Sequence, residues 1–260
     1  MSPPAKNINE RTVVDLLSLK GKKALLYGCS KGIGLDVAEA YAEAGASVVI
    51  TYNRTNAEDQ AKKIAQRHGV EAVALKCNVS DSNDIKSVFD QALKKFGHID
   101  IVVANAGVCT NKSAAEMTPD EFAKEININL NGIFNIGHVT GPVFEKQGFG
   151  SFIATASMSG TIANVPQKQC AYNASKAGVI HLCKSLAVEW APFARVNCVS
   201  PGYISTDMTG GMHDEWVPYV PFRRIGYPKE LTGAYVFLAS DAASYVSGLD
   251  LIVDGGYTAI

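Results

Sequence analysis

Ala24-Leu25-Leu26-Tyr27-Gly28-Cys29-Ser30-Lys31-Gly32-Ile33-Gly34 is the stretch whose reading decides the fold. The apolar run at its head suits a strand covered on both faces. Glycines at 28, 32 and 34 let the backbone turn sharply, and a helical pattern over 33–44 follows. Strand, turn and helix in that order set free N–H groups and the positive end of a helix dipole beside the turn, a cradle for a pyrophosphate. A glycine cluster alone also makes ordinary turns; its context raises this one above that.

Outward from there the pattern repeats. Apolar runs stand at Ser47 to Thr51, Ala72 to Lys76, Ile99 to Ala104, Ser151 to Ala156, Ala194 to Ser200 and Leu249 to Val253. Helical patterns fall between them, over 57–68, 82–96, 119–147, 171–191 and 228–240, with Asp81 and Thr118 as N-caps. This predicts an α/β fold: one doubly wound, Rossmann-type domain with a parallel sheet of about seven strands and helices on both faces. Residues 1–20 read as an N-terminal arm, with a short helix at Val13 to Leu17, and residues 21–260 as the domain. Residues 203–224, irregular and carrying Trp216, Tyr219 and Phe222, read as a lid in which His213, Asp214, Glu215 and Trp216 offer polar contacts and an apolar wall.

The 260 residues are 47% hydrophobic and 19% charged, with a net charge of −1, which excludes a disordered chain. The balance gives no basic footprint for nucleic acid or an anionic membrane, and no apolar run is long enough to span a bilayer. Cys29, Cys77, Cys109, Cys170, Cys183 and Cys198 are scattered without metal-ligand spacing, so no metal is expected. With no signal peptide at the start, buried thiols and a cytoplasmic location are expected.

Residue chemistry then narrows the class. After the second strand comes Asn53-Arg54 where an acid would favour a free ribose 2′-OH. Arg54, Asn53 and Lys31 suit a 2′-phosphate instead, which points to NADP(H). Asn105-Ala106-Gly107 follows the fourth strand, where small residues let a cofactor cross the strand ends or simply make a turn. Tyr172 and Lys176 lie on one helix face, where the ammonium would lower the phenol's pKa toward the working range for acid–base work. Ser157, ranked ahead of Ser159, can hold a carbonyl oxygen from the end of a strand. Of the alternating Asn127, Asn129 and Asn131, mid-helix residues of poor propensity, at least one has a task.

Taken in order, the glycine turn, Asn105-Ala106-Gly107, Ser157, Tyr172-x-x-x-Lys176 and Pro201-Gly202 resemble the short-chain dehydrogenase/reductase family over about residues 20–260. The resemblance implies a catalytic set of Asn129, Ser157, Tyr172 and Lys176. Asn129 would place a relay water, and Lys176 would also hold the nicotinamide ribose. It implies cofactor contacts from Gly28, Ser30, Lys31, Gly32, Ile33, Gly34, Asn53, Arg54, Asn78, Val79, Asn105, Ala106, Gly107, Tyr172, Lys176, Pro201, Gly202, Ile204 and Thr206. Tyr27 departs from the family's usual Thr, which puts a hydroxyl contact to the neighbouring strand in question. Leu17 to Lys22, Ala187 to Asn197 and Asp254 to Thr258 are similar to the fungal NADP-dependent ketose reductases, the mannitol 2-dehydrogenase and sorbose reductase group. That resemblance implies reversible reduction of a ketose (fructose, sorbose or xylulose) to a polyol, in a homotetramer. A broader carbonyl or 3-oxoacyl reductase and a non-catalytic NADP(H)-binding redox sensor are the alternatives.

Overall fold

The computed structural model describes residues 8–210 and 213–260; the head of the arm, Gly211, Met212 and the side chain of His213 lie outside the described residues. The strands are β1 (Lys23–Tyr27), β2 (Ser47–Tyr52), β3 (Ala72–Lys76), β4 (Ile101–Ala104), β5 (Ser151–Thr155), β6 (Arg195–Pro201) and β7 (Asp250–Val253). They form one seven-stranded parallel sheet in the order β3-β2-β1-β4-β5-β6-β7. The helices are α1 (Val13–Leu17), α2 (Gly32–Glu43), α3 (Glu58–His68), α4 (Ser82–Phe96), α5 (Pro119–Ile126), α6 (Gly132–Gln147), α7 (Cys170–Glu189), α8 (His213–Trp216) and α9 (Lys229–Ala239).

Alternation along each strand feeds two cores. Leu25, Tyr27, Val102, Phe152 and Ala154 point to one face and pack with α4, α6 and α7. Ala24, Leu26, Val48, Ile50 and Val103 point to the other and pack with α2, α3 and α9. A strand covered on both faces has no polar side, which is why the runs read as continuously apolar. The strand order reverses between β1 and β4, so the connections leaving them diverge and a crevice opens at their carboxyl ends.

Local chemistry sets the helix ends. The Asp81 carboxylate accepts from the Asn83 N–H at 2.8 Å at the start of α4, and Gly97 (φ 78°) ends it in the left-handed region. Thr118 and Glu121 form a capping box ahead of Pro119 at the start of α5. The single pattern expected over 119–147 is two helices, α5 and α6, joined by a π-helical turn at Asn127–Asn131. That turn inserts a residue into the ladder and turns Asn129 fully inward.

All six thiols are free. Cys29, Cys77, Cys183 and Cys198 are buried as expected, but Cys109 is half-buried and Cys170 exposed, because it opens α7 on the outward side. No helix among the described residues is long and apolar enough to cross a membrane.

Tyr27 resolves its departure from the family pattern. It is fully buried between the sheet and α4, and its hydroxyl donates to the Ile85 carbonyl at 3.2 Å. The hydroxyl that steadies the glycine turn comes from the neighbouring strand, where Thr51 Oγ1 accepts from the Gly28 N–H at 2.9 Å. Restoring the family residue is therefore expected to harm this protein. Tyr27→Thr should empty the ring's volume and cost about 3–5 kcal/mol in urea unfolding, whereas Tyr27→Phe should cost about 1 kcal/mol for its lost hydrogen bond.

Candidate active site

The glycine turn and the loop after β4 meet across the crevice. Gly28 has φ 73°, and a Cβ on it would stand 2.5 Å from the Ala106 Cα. Gly34 faces Asn105 as closely, with 2.6 Å from a Cβ position to Asn105 Nδ2. That same Nδ2 donates to the Gly28 carbonyl at 2.8 Å. Asn105 thus acts as a strut, and its Oδ1 accepts from the Thr155 hydroxyl at 2.9 Å. Thr155 also meets the Tyr235 hydroxyl at 2.6 Å.

The residues fit a dinucleotide phosphate. Lys31, the N-cap of α2, makes no side-chain cap, so the first-turn N–H groups have no acceptor from that residue. Ser30, Gly32 and Ile33 complete the half-buried lip of the turn. Asn53 and Arg54 lie exposed beyond β2, Arg54 without an ion-pair partner among the described residues. Lys31 instead pairs with Asp207 at 2.8 Å, tying the turn to the segment after β6. Thr206 from that segment lies 3.6 Å from a Cβ position on Gly32. Ile204 is buried and bridges Gly226; Pro201 closes β6, and Gly202 lets Asp254 approach to 2.6 Å of its Cβ position. Asn78 uses its Oδ1 on the Ser80 N–H and hydroxyl, at 3.2 and 2.8 Å, and the adjacent Val79 is buried.

Three elements bring the four expected catalytic side chains together. Tyr172 and Lys176 lie on α7, Ser157 follows β5 and Asn129 sits in the π turn. The Ser157 hydroxyl stands beside the Tyr172 phenol and favours its ionised form. Ser159 faces elsewhere, its hydroxyl accepting from Gln169 at 3.3 Å. Lys176 is 2% exposed, donates to the Thr155 carbonyl at 2.7 Å, and holds its ammonium 5.5 Å from the Tyr172 ring centroid. Asn129 Oδ1 accepts from the Val108 N–H and Nδ2 donates to the Val108 carbonyl, both at 2.8 Å; Nδ2 also donates to Ser175 at 3.0 Å. Gly107 lies between, its Cβ position 3.4 Å from Asn129 Oδ1 and 3.5 Å from Lys176 Nζ. Asn127 and Asn131 hydrogen-bond each other at 3.3 Å on the exposed side, away from this cluster.

Electrostatics in the cluster corrects one expectation. Burial pushes the Tyr172 phenol above the usual tyrosine range, opposed by the Ser157 hydroxyl, so it is held as the protonated acid. The lysine does not pull it down; burial instead lowers Lys176 itself to about 8. Desolvation disfavours charge on both groups.

Within the stretch after β6, Tyr203, Ile204, Trp216 and Val220 are buried, whereas Tyr219 and Phe222 are exposed. Trp216 is buried and stacks on Tyr203 with centroids 4.2 Å apart, and its indole N–H donates to Gln167 Oε1 at 3.0 Å. Tyr203, Trp216 and Val220 cluster with Met158, the residue after Ser157. Asp214 and Glu215, expected as polar contacts, face solvent. Sequence reasoning missed the amides of Asn164, Gln167 and Gln169, which join Tyr203 and Ser159 in one network at 2.9–3.3 Å. It also missed Thr155 and the buried Glu125. The run Gln167-Lys168-Gln169 just before Tyr172 was the available signal for the amides.

A family model described as enoyl-(acyl carrier protein) reductase matches residues 28–258. An uncharacterized oxidoreductase of Schizosaccharomyces pombe is 59% identical over 100% of both chains. The sorbose reductase of Candida albicans is 49% identical over 95% of this chain and 90% of its own. The NADP-dependent mannitol dehydrogenase of Hypocrea jecorina is 42% identical over 99% of each. Among solved structures, a short-chain type dehydrogenase/reductase from Mycobacterium marinum superposes with a TM-score of 0.91 at 43% identity, covering 96% of this chain and 100% of that one.

The buried ammonium makes a prediction about stability. Lys176 titrates at about 8 in the native protein, against about 10.4 unfolded. Between those values the unfolded chain binds the extra proton, so this group's contribution to stability rises with pH across the window. The difference in unfolding free energy between wild type and Lys176→Met should therefore grow in the wild type's favour from pH 7.5 to 10, by up to about 3 kcal/mol. Urea titrations of both proteins across that range check it.

Proposed function

The chain belongs to the short-chain dehydrogenase/reductase family, and on that premise we propose that it is an NADP(H)-dependent oxidoreductase that reversibly reduces a ketose to a polyol. The observation that carries this is the triad itself: the Tyr172 phenol beside the buried Ser157, with the buried Lys176 alongside, at the carboxyl end of the sheet beside the glycine turn. The similarity to a sorbose reductase and to an NADP-dependent mannitol dehydrogenase supports the ketose, and the amide network beside Ser159 supplies donors and acceptors suited to a polyhydroxylated substrate.

In this reading the glycine turn and the N-terminus of α2 hold the pyrophosphate, and Asn78 and Val79 border the adenine. Asn53 and Arg54 face the 2′-phosphate, with Lys31 available on release from Asp207. Loop residues Asn105, Ala106 and Gly107, with Pro201, Gly202, Ile204 and Thr206, flank the nicotinamide half. When bound, NADPH supplies the hydride. The chain's own residues do the rest. Ser157 donates a hydrogen bond to the substrate carbonyl oxygen and fixes its place. Tyr172 gives that oxygen its proton as the carbonyl carbon is reduced, and takes a proton back in the reverse direction. Lys176 supports the resulting phenolate with its charge, and Asn129 keeps the adjoining loop and Ser175 in place.

We also propose a homotetramer. Phe134 is 50% exposed and Val188 78% exposed on the outer faces of α6 and α7. Between these helices runs a groove of about 360 Å³ lined by Phe134, His138, Trp190 and Phe193. A groove that joins aromatic rings with His138, Glu145 and Glu189, flanked by exposed apolar side chains, suits a second copy of the chain. Sedimentation velocity on wild type and Phe134→Glu should show a tetramer and a smaller species respectively.

NADPH oxidation with D-fructose, L-sorbose and xylulose, followed by absorbance, tests the activity. Tyr172→Phe should lower turnover by about 10²-fold or more while NADPH binding persists. Full turnover in that variant sinks the mechanism. Arg54→Ala should raise the KM for NADPH and leave that for NADH unchanged; equal effects on both would remove Arg54 from the 2′-phosphate site.

A further inference from the structure

Glu125, in the last turn of α5, is 1% exposed. Its Oε1 has no hydrogen-bond partner among the described residues, while Oε2 accepts from the Thr110 N–H at 3.1 Å. A half-satisfied carboxyl in the interior costs stability and calls for a compensating role. Its surroundings indicate what that role is. Glu125 precedes Asn129 across the π turn, and the two side chains grip one loop at neighbouring points, Asn129 at Val108 and Glu125 at Thr110. The head of that loop, Gly107, lies against Lys176 Nζ.

We propose that Glu125 is a positioning residue for the acid–base pair: its carboxyl fixes the loop after β4 against Lys176 and supplies the negative charge that keeps the buried ammonium charged. The proposal rests on the roles given to Tyr172 and Lys176 above. The electrostatics agrees with the geometry. Burial raises the Glu125 carboxyl, opposed first by hydrogen bonds from Thr110 and then by the Lys176 charge; burial lowers the Lys176 ammonium, and the Glu125 charge is among the influences that oppose that shift. The other titratable groups facing the ammonium are the thiols of Cys109, Cys183 and Cys198 and the Tyr172 phenol. Burial pushes Cys109 up to about 12, and Cys198 is raised by its hydrogen bond with Cys183 and by burial, so neither supplies negative charge near neutrality. Glu125 is the one carboxylic acid among these groups.

Glu125→Gln keeps an oxygen for the Thr110 N–H and removes the charge. Two readouts follow. In protein labelled with [¹³Cε]lysine, the Lys176 resonance, assigned by its loss in Lys176→Arg, should titrate near pH 8 in wild type and about one unit lower in Glu125→Gln. The alkaline limb of kcat for ketose reduction should move down with it, with the KM for NADPH unchanged, and Glu125→Asp should recover part of both shifts. Identical Lys176 midpoints in wild type and a folded Glu125→Gln would overturn the proposal. The NMR titration does not depend on turnover. If Tyr172→Phe proves active, the acid–base reading falls while the effect of Glu125 on Lys176 is still measured.

Discussion

Everything at the carboxyl end of the sheet hangs on Thr155. Its hydroxyl joins Tyr235 to Asn105, and Asn105 in turn holds the Gly28 carbonyl. Its own carbonyl receives the Lys176 ammonium. One residue at the end of β5 therefore ties the tips of β1 and β4, α9 and the acid–base helix α7. Such a network, buried and satisfied, gains strength from low dielectric and loses much when a single member is removed. The turn suited to phosphate and the residues suited to proton transfer are consequently held in one frame, a distance apart that side-chain motion alone does not change.

Within that frame, burial sets the chemical state of the pair. Desolvation moves a phenol and an ammonium in opposite directions on the pH scale, yet toward the same end, the neutral form. The proton accordingly stays on Tyr172, where a carbonyl oxygen can receive it. The lysine remains near the boundary of losing its own, which makes the few charges around it matter.

Much of this was legible in the residues. Both-face burial wrote continuous apolar strands, Asp81 and Thr118 announced their helices, and the glycine turn needed its three small residues for clearances that the structure shows at Ala106 and Asn105. What escaped were features that depend on the assembled fold. Glu125 sits in a helical stretch beside Lys124 and reads as a solvated face until α7 and the loop after β4 close over it. A π turn leaves the alternation of Asn127, Asn129 and Asn131 unchanged, so nothing in the letters marks the extra residue. The pull of Lys176 on Tyr172 looked dominant because charge is visible in a sequence and desolvation is not. Tyr27 looked like a lost hydroxyl because Thr51, which supplies one, is on another strand.

The seating of Trp216 has a further consequence, an optical one. The chain has only two tryptophans. Trp190 is wedged among Phe144, Phe152 and Phe193. Trp216 lies on the segment after β6, stacked on Tyr203 and hydrogen-bonded through its indole nitrogen to Gln167. Displacing that segment would break both contacts and wet the ring, so the colour and yield of its fluorescence report the segment's position without any label.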